Sequence, residues 1–206
     1  MFKNLRNRQS KPTLLLLLAF AAALPALSEE PQAEHFQRSF TVSTGATLAV
    51  DNYKGTIHIS GTDGNQIVVD VRKEFQGSES DRKWWMENVK IGFQNDPHHV
   101  AVKVEYPNRN CAFCITHDFS AAVALEIRVP RQSNIKLDGY KPDIRISEVK
   151  GDISVKSYKS PILIDSTSGA IHVDTYKEVV TLKNVTIRGA LEVKSYKADA
   201  DISARA

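Results

Sequence analysis

The chain has 206 residues, of which 42% are hydrophobic and 25% are charged. This balance is typical of a globular protein with a sizeable core, and it excludes collagen, coiled coils and wholesale disorder. Lys and Arg number 27 and Asp and Glu 24, a formal net charge of +3. Residues 1–28 hold four of the basic residues and no acidic one, which leaves 23 basic against 24 acidic residues. Without a cationic excess in that remainder, we expect no nucleic-acid partner.

The N-terminal segment has the features of a secretory signal peptide. A basic stretch precedes an apolar run from Leu14 to Leu24, and Ala26 and Ser28 are small residues at the two positions that signal peptidase reads. The apolar run is shorter than the ~20 residues that span a bilayer. We predict a signal peptide over residues 1–28, no transmembrane segment after its cleavage, and a secreted or periplasmic mature protein. An uncleaved membrane anchor is the alternative.

Pairs of apolar residues recur from Ile135 onward, and the two members of each pair are separated by one residue. The pairs are Ile135/Leu137, Ile144/Ile146, Ile153/Val155, Ile162/Ile164, Ile171/Val173, Val180/Leu182, Leu191/Val193 and Ala200/Ile202. Their first members lie nine residues apart, except for one step of eleven that falls at Asn184–Arg188. Each pair has the alternation of a short strand with one buried face. Nine residues therefore hold one strand and one turn.

Two kinds of corner alternate between these strands. Tyr-Lys follows every second strand, and a glycine precedes most of these same strands. The dipeptides are Tyr140-Lys141, Tyr158-Lys159, Tyr176-Lys177 and Tyr196-Lys197. The repeating unit is therefore about 18 residues long, a period typical of solenoids. We predict an all-β protein in which residues 135–206 form a parallel β-solenoid of about 18-residue two-strand coils.

Charged residues at equivalent positions distinguish this solenoid from an antiparallel meander, which is the structural alternative. Parallel coils would place these residues in one column, ~4.8 Å apart. The column would hold Asp138, Lys156, Asp174 and Lys194. The alternating signs would make it attractive, whereas a meander would scatter the four residues.

Residues 48–71 carry a first copy of the unit, and residues 73–134 break the period. Within this break, Ser78 followed by acidic residues indicates the start of one short helix. Alternating apolar runs on either side predict an inserted antiparallel sheet. No Gly/Ser/Pro-rich linker separates the parts, so we predict a single domain over residues 29–206.

Several motifs, taken in order, resemble the adhesin-like family of bacterial cell-envelope proteins, a family of domains without an assigned function. They are Leu48-Ala-Val-Asp-Asn-Tyr-Lys-Gly55 with Ile57-His-Ile59, then Glu126-Ile-Arg-Val-Pro130, Asn134-Ile-Lys-Leu137 and Val149-Lys-Gly-Asp-Ile153. The resemblance covers most of the mature chain. It implies secretion, a β-solenoid-like fold and a non-enzymatic role, and it supplies no catalytic residues.

Cys111 and Cys114 form the one reactive-looking motif of the sequence. In an exported protein a disulfide between them is the default expectation. A redox centre is the first alternative, although the helix and βαβ setting that such centres use are not visible. A metal site with His117 is the second, but it lacks a fourth ligand. We expect no metal and no cofactor.

The Tyr-Lys corners are the best candidate binding surface. Their residues are Tyr140, Lys141, Tyr158, Lys159, Tyr176, Lys177, Tyr196 and Lys197. A stack of these tyrosines, continued by Tyr53, beside a row of lysines would suit sugars, acidic glycans or anionic envelope polymers. A purely structural tyrosine ladder with solvated lysines is the alternative.

These observations predict an exported, non-catalytic, adhesin-like protein of the bacterial cell envelope. It would bind an envelope polysaccharide or another surface protein, or serve as a structural element. The sequence carries no serine elbow, zinc-protease motif, phosphate loop or dinucleotide fingerprint. One alternative is a polysaccharide-acting β-helix enzyme that uses Asp138 and Asp174, and another is a metal or redox module on the cysteine loop. Solenoids need polar caps, so we also expect self-association through the C-terminal coil.

Overall fold

The computed structural model describes residues 32–107, 120–197 and 199–205, and strands make up most of these ranges. The all-β class predicted from the sequence is confirmed. The strands are β1 (Gln32–Thr41), β2 (Thr47–Thr62), β3 (Gln66–Gln76), β4 (Lys90–Asp96), β5 (His99–Glu105), β6 (Ser120–Pro130), β7 (Asn134–Ser147), β8 (Ile153–Lys159), β9 (Ile162–Asp165), β10 (Ser168–Lys177), β11 (Val180–Lys197) and β12 (Ala200–Arg205), and the helix is α1 (Glu79–Asn88).

The described strands belong to one hydrogen-bonded sheet with the main path β1-β3-β6-β2-β7-β8-β10-β11-β12. Strands β4 and β5 branch from β2, and β9 bridges β7 and β11. The pairings β7-β8, β8-β10, β10-β11, β11-β9 and β9-β7 are all parallel. Together they close a ring, which makes this part of the molecule a five-stranded parallel barrel with further strands added to it.

The predicted β-solenoid of about 18-residue two-strand coils is wrong. Such a solenoid needs a turn at every corner, whereas β7 and β11 are each one continuous strand through positions where a turn was expected. Residues 135–139 of β7 pair with β8, and residues 144–147 of the same strand pair with β9. Because one continuous strand serves two neighbours, the pairings close into a barrel.

Strand β2 joins the N-terminal part of the molecule to the barrel. It pairs in parallel with β7 over most of its length, while its first half also pairs with β5 and its second half with β6. Antiparallel pairing is confined to β1-β3, β3-β6 and β4-β5 among the described strands. The N-terminal part is therefore a mixed sheet, and the prediction of an inserted antiparallel sheet is wrong, because β5 and β6 pair in parallel with β2.

Helix α1 begins where the sequence indicated, because the Ser78 hydroxyl accepts a hydrogen bond from the Asp81 amide at 3.2 Å. Trp85 is buried, with its ring 6.1 Å from that of Phe75 on β3. The helix contacts the sheet through this aromatic pair and through the Met86 carbonyl oxygen, which accepts a hydrogen bond from Lys73 Nζ of β3 at 3.1 Å. In the described ranges, no helix has the length and apolar character needed to cross a membrane.

The core takes its side chains from alternate positions of the strands. The inward apolar residues from Ile135 to Leu182 have at most 4% of their surface exposed. Near β1 and β4 the core is covered by aromatic contacts of Phe93 with Phe36 and Phe40, at 6.4 and 5.7 Å. At the other extreme, Leu191 and Ile202 are 37% and 44% exposed. The core is thus covered by aromatic side chains near β1 and β4, but it is partly exposed to solvent at β11 and β12.

Glycine is required at Gly55, where β2 leaves β5 and begins to pair with β6. Its φ is +124°, and a Cβ at this position would lie 2.0 Å from the carbonyl oxygen of Val123. No side chain can occupy that space without moving the backbone of β6. Gly64 has a similar φ of +117° but faces open space. Comparison of the two positions therefore distinguishes the effect of backbone strain from that of a steric collision.

We expect Gly55→Ala to lower the free energy of unfolding by about 3 kcal/mol or more, because the methyl group adds a collision to the strain of a positive φ. Gly64→Ala, the matched control, carries the strain alone and should cost about 1 kcal/mol. Urea unfolding of both variants measures the difference. Equal losses would show that β2 and β6 do not approach each other as described.

Candidate functional site: the tyrosine ladder and the lysine row

Five tyrosines from five strands stack along one side of the sheet. The rings of Tyr140, Tyr158, Tyr176 and Tyr196 follow one another at centroid distances of 4.8–5.0 Å, with interplanar angles of 10–12°. Tyr53 continues the stack, with its ring 4.7 Å from that of Tyr140 and inclined by 5°. We refer to these five residues as the tyrosine ladder.

The ladder is a direct consequence of parallel, in-register pairing. Neighbouring strands lie ~4.7–4.9 Å apart, which matches the distances between the ring centroids. Side chains at equivalent positions of parallel strands therefore meet face to face. Stacked aromatic pairs contribute roughly 0.5–1.5 kcal/mol beyond burial, so the ladder stabilises this side of the sheet whether or not it binds anything.

A row of lysines follows the ladder, and we refer to it as the lysine row. Its members are Lys54, Lys141, Lys159, Lys177 and Lys197. The register aligns Lys54 with Lys141, and Lys177 with both Lys159 and Lys197. The last four ammonium groups each lie 5.4–5.9 Å from the ring centroid of the preceding tyrosine. Within the described part of the chain, no member of the row forms an ion pair.

The structure thus brings the eight binding residues predicted from the sequence together in two adjoining columns. Tyr158 and Tyr176 are half-buried inside the stack, whereas Tyr53 and Tyr196 at its ends are 50% and 70% exposed. The ring edges and hydroxyl groups of the ladder are therefore the parts that a ligand could reach. Whether this face binds a ligand stays a prediction.

Tyr106 is a further aromatic residue of this face, and the sequence carried no signal for it. Its ring meets Tyr53 edge-on at 5.8 Å. Its hydroxyl donates to Lys54 O at 2.7 Å and lies 2.8 Å from Asn52 Oδ1. Burial raises the pKa of Tyr106 well above its ordinary value, against smaller lowering by backbone hydrogen bonds. The phenol therefore stays protonated and anchors the end of the ladder.

The predicted charge column is present on the outer face, and the structure lengthens it. The register aligns Asp138 with Lys156, Lys156 with Asp174, and Asp174 with Lys194. Beyond Asp138 it continues through Asp51 to Lys103. The signs alternate everywhere except at Asp51 and Asp138, two carboxylates at neighbouring positions.

These two carboxylates line a groove of about 490 Å³ between β5 and β8, together with Lys103 and Lys136. Burial is the main cause that raises the pKa of Asp51, and the charge of Asp138 adds to it, while Lys103 opposes. The sequence pointed to Asp138 but not to Asp51. Only the pairing of β2 with β7 brings the two side by side.

Two further predictions of the sequence are not tested. The signal peptide, predicted over residues 1–28, lies outside the described residues and stays a prediction. Cys111, Cys114 and His117 also lie outside them, so the disulfide and its redox and metal alternatives stay predictions. In the part of the chain that the structure covers, no cluster of His, Cys, Asp or Glu could hold a metal ion.

The geometry defines an all-β protein with a parallel barrel and an aromatic, cationic face. No protein-family model matches the chain, and no curated protein matches it. Among solved structures, a putative cell adhesion protein from Clostridium sporogenes has a TM-score of 0.54 at 11% identity, over 85% of this chain and 100% of that chain. A putative adhesin from Bacteroides fragilis has a TM-score of 0.30 at 9% identity, over 82% and 97%. The first of these structures confirms the resemblance to bacterial adhesin-like proteins, and at 11% identity it shows a shared fold alone.

We expect Asp51→Asn to stabilise the protein at pH 7 by a few tenths of a kcal/mol, because it removes one of two adjacent like charges. A carboxyl with a raised pKa costs stability once it ionises, so the gain should vanish as the pH falls below the ordinary aspartate value of 3.8. Asp174→Asn, in the same column between two lysines, should instead destabilise by a similar amount. Thermal unfolding between pH 3 and pH 7 measures both, and the same sign for the two variants would contradict the column.

Proposed function

We propose that this protein is an exported, non-catalytic, adhesin-like component of the bacterial cell envelope, secreted or periplasmic, that binds an anionic surface polymer or glycan. The observation that carries the proposal is the lysine row beside the tyrosine ladder. An envelope polysaccharide is the partner that fits this chemistry best. A purely architectural role for the ladder is the competing explanation.

The charge of the lysine row supports an anionic ligand. Like charges at the spacing of neighbouring strands repel one another, and no acidic side chain of the described residues pairs with the row. An extended polyanion lying across the strands would meet one ammonium group per strand, about every 4.8 Å. Such a ligand would relieve the repulsion along its whole length.

The ladder supports a sugar-containing ligand. Tyrosine offers an apolar ring for the C–H faces of a sugar and a hydroxyl group for its polar groups. Tyr196, at the end of the stack and 70% exposed, presents both, whereas the other rings present their edges and hydroxyl groups. The combination of aromatic edges with cations therefore suits an acidic glycan better than a protein partner.

Export and location rest on other observations. The basic stretch, the apolar run and the small residues before Glu29 have the order of a signal peptide. The fold is shared with a bacterial protein described as a putative cell adhesion protein. Both support a place at the cell surface or in the periplasm.

A screen of glycans and anionic polymers tests the proposal. We expect binding that weakens with salt, because it neutralises ammonium groups. Lys141→Gln combined with Lys177→Gln should reduce the affinity at least tenfold. Tyr158→Ala and Lys159→Ala should each reduce it by a smaller factor. Lys83→Gln combined with Lys90→Gln is the control with the same change of charge, since both residues are exposed and neither belongs to the row or lines the groove. Absence of any binder, or equal losses in both double variants, would leave the architectural role.

A polysaccharide-acting enzyme is the second candidate, and the pair of carboxylates in the groove favours it. Asp51 and Asp138 are aligned on neighbouring parallel strands, whose ~4.8 Å spacing is compatible with the ~5–5.5 Å between the carboxyl groups of retaining glycosidases. The raised pKa of Asp51 would suit a general acid. Release of reducing ends from a bound polymer, abolished by Asp138→Asn, would establish this activity in place of the non-catalytic role.

Self-association through β11 and β12 is a further part of the proposal. Leu191 and Ile202 are 37% and 44% exposed, whereas the inward residues of the preceding strands are covered. Burying such side chains against another copy gains roughly 25 cal/mol per Å². We expect light scattering to show a mass that rises with concentration, and Leu191→Ser with Ile202→Ser to abolish the rise. A constant monomer mass would contradict this part.

A further inference from the structure

A depression of about 450 Å³ lies where the nine-residue spacing is interrupted by the step of eleven. Its lining consists of Lys150, Ser166, Thr167, Ser168, Asn184, Thr186, Arg188 and Arg205. Three of these residues are cationic, most of the others carry a hydroxyl group, and no acidic residue is among them. The depression shares no residue with the tyrosine ladder, the lysine row or the groove.

The longer step builds this depression. Against β12, the register of β11 shifts between Leu182 and Val185, and Asn184 has a left-handed φ of 52°. After the shift the chain continues as an extended strand through Arg188. Alternate residues of a strand face the same side, which explains why Thr186 and Arg188 line the same depression. Thr186 pairs with both Ser168 and Arg205, so three strands meet here.

The cations of the depression are not neutralised by the protein. Among the described residues, Lys150, Arg188 and Arg205 form no ion pair, and all three are exposed. The Arg205 Nε donates to Thr186 Oγ1 at 3.1 Å. This contact orients the guanidinium and leaves its terminal nitrogens free. It also leaves the Thr186 hydroxyl proton available to another acceptor.

Asp165 is an acidic residue that does not line the depression but forms hydrogen bonds with two residues that do. Its Oδ1 accepts hydrogen bonds from Asn184 Nδ2 and from Ser166 Oγ, both at 3.0 Å. These bonds lower the pKa of Asp165, the one from Asn184 most. Asp165 therefore remains a carboxylate that positions two lining side chains. The Thr167 hydroxyl is buried and has no hydrogen-bond partner among the described residues. The accessible donors left for a ligand are therefore the three cations, Ser168, Thr186 and the second N–H of Asn184.

We propose that this depression is a second binding site, specific for a tetrahedral oxyanion such as a phosphate or sulfate group. Two guanidinium groups, an ammonium group and two hydroxyl groups are the donors that recognise such anions, and arginine does so with two parallel hydrogen bonds. The group could be carried by a polymer or be a free anion, since both present the same oxygens. The site stands independently of any binding along the tyrosine ladder.

Titration of the full chain with inorganic phosphate, sulfate and acetate at constant pH and ionic strength tests the site. Backbone amide resonances of residues 166–168 and 184–188 should shift saturably with phosphate and sulfate, and much less with acetate. Methyl phosphate and dimethyl phosphate distinguish a monoester from the diester of a polymer backbone. Shifts that do not saturate, or that are as large with acetate, would overturn the proposal.

Arg188→Gln combined with Arg205→Gln should lower the affinity for inorganic phosphate roughly tenfold or more, because charge-assisted hydrogen bonds are lost. Arg72→Gln combined with Arg128→Gln removes the same charge from exposed positions on β3 and β6, and should leave the affinity within twofold. Thr186→Val tests the hydroxyl group with a smaller expected loss. Equal losses in the two arginine pairs would overturn the proposal. Tyr158→Ala should not affect phosphate binding, so failure of this site and failure of the ladder are told apart.

Discussion

Parallel, in-register pairing of the strands is the constraint on which the rest of this structure depends. It places the residue at each position of one strand beside its equivalent on the next, at the ~4.8 Å spacing of a sheet. Inside, this alignment packs isoleucine, leucine and valine side chains into a continuous core. Outside, the same alignment stacks the tyrosines into a ladder, the lysines into a row and the alternating charges into a column. The packing of the core and the regular rows of side chains on the surface thus have one cause.

The same constraint also produces electrostatic repulsion, and this repulsion occurs at the surfaces for which a function is proposed. In-register pairing of identical lysines brings like charges together, and the stacked tyrosines next to them offset part of that repulsion. Two carboxylates, Asp51 and Asp138, meet for the same reason. Where the register is broken, at Asn184–Arg188, a different arrangement follows. There the cations of separate strands gather around one depression. Regular pairing makes the extended face, and its interruption makes the localised site.

The sequence predicted what depends on local alternation, and missed what depends on distant pairing. The all-β class and the inward residues follow from a period of two, and the Tyr-Lys dipeptides identified the exposed face. The same dipeptides did not reveal that β7 passes through its corner without a turn, because Tyr-Lys is compatible with a turn and with a bent strand. Asp51 and Tyr106 could not be found in this way, since their places are set by the pairing of β2 with β5 and β7.

Contacts between tyrosine rings test the central claim most directly. In a protein labelled selectively at tyrosine, NMR should show nuclear Overhauser effects between the rings of Tyr140 and Tyr158 and between those of Tyr158 and Tyr176, whose centroids lie 5.0 and 4.8 Å apart. Replacing Tyr158 by phenylalanine assigns both contacts. Observation of both would establish parallel strands aligned residue by residue. Their absence in a folded protein would contradict the register, and with it the ladder, the lysine row and the charge column.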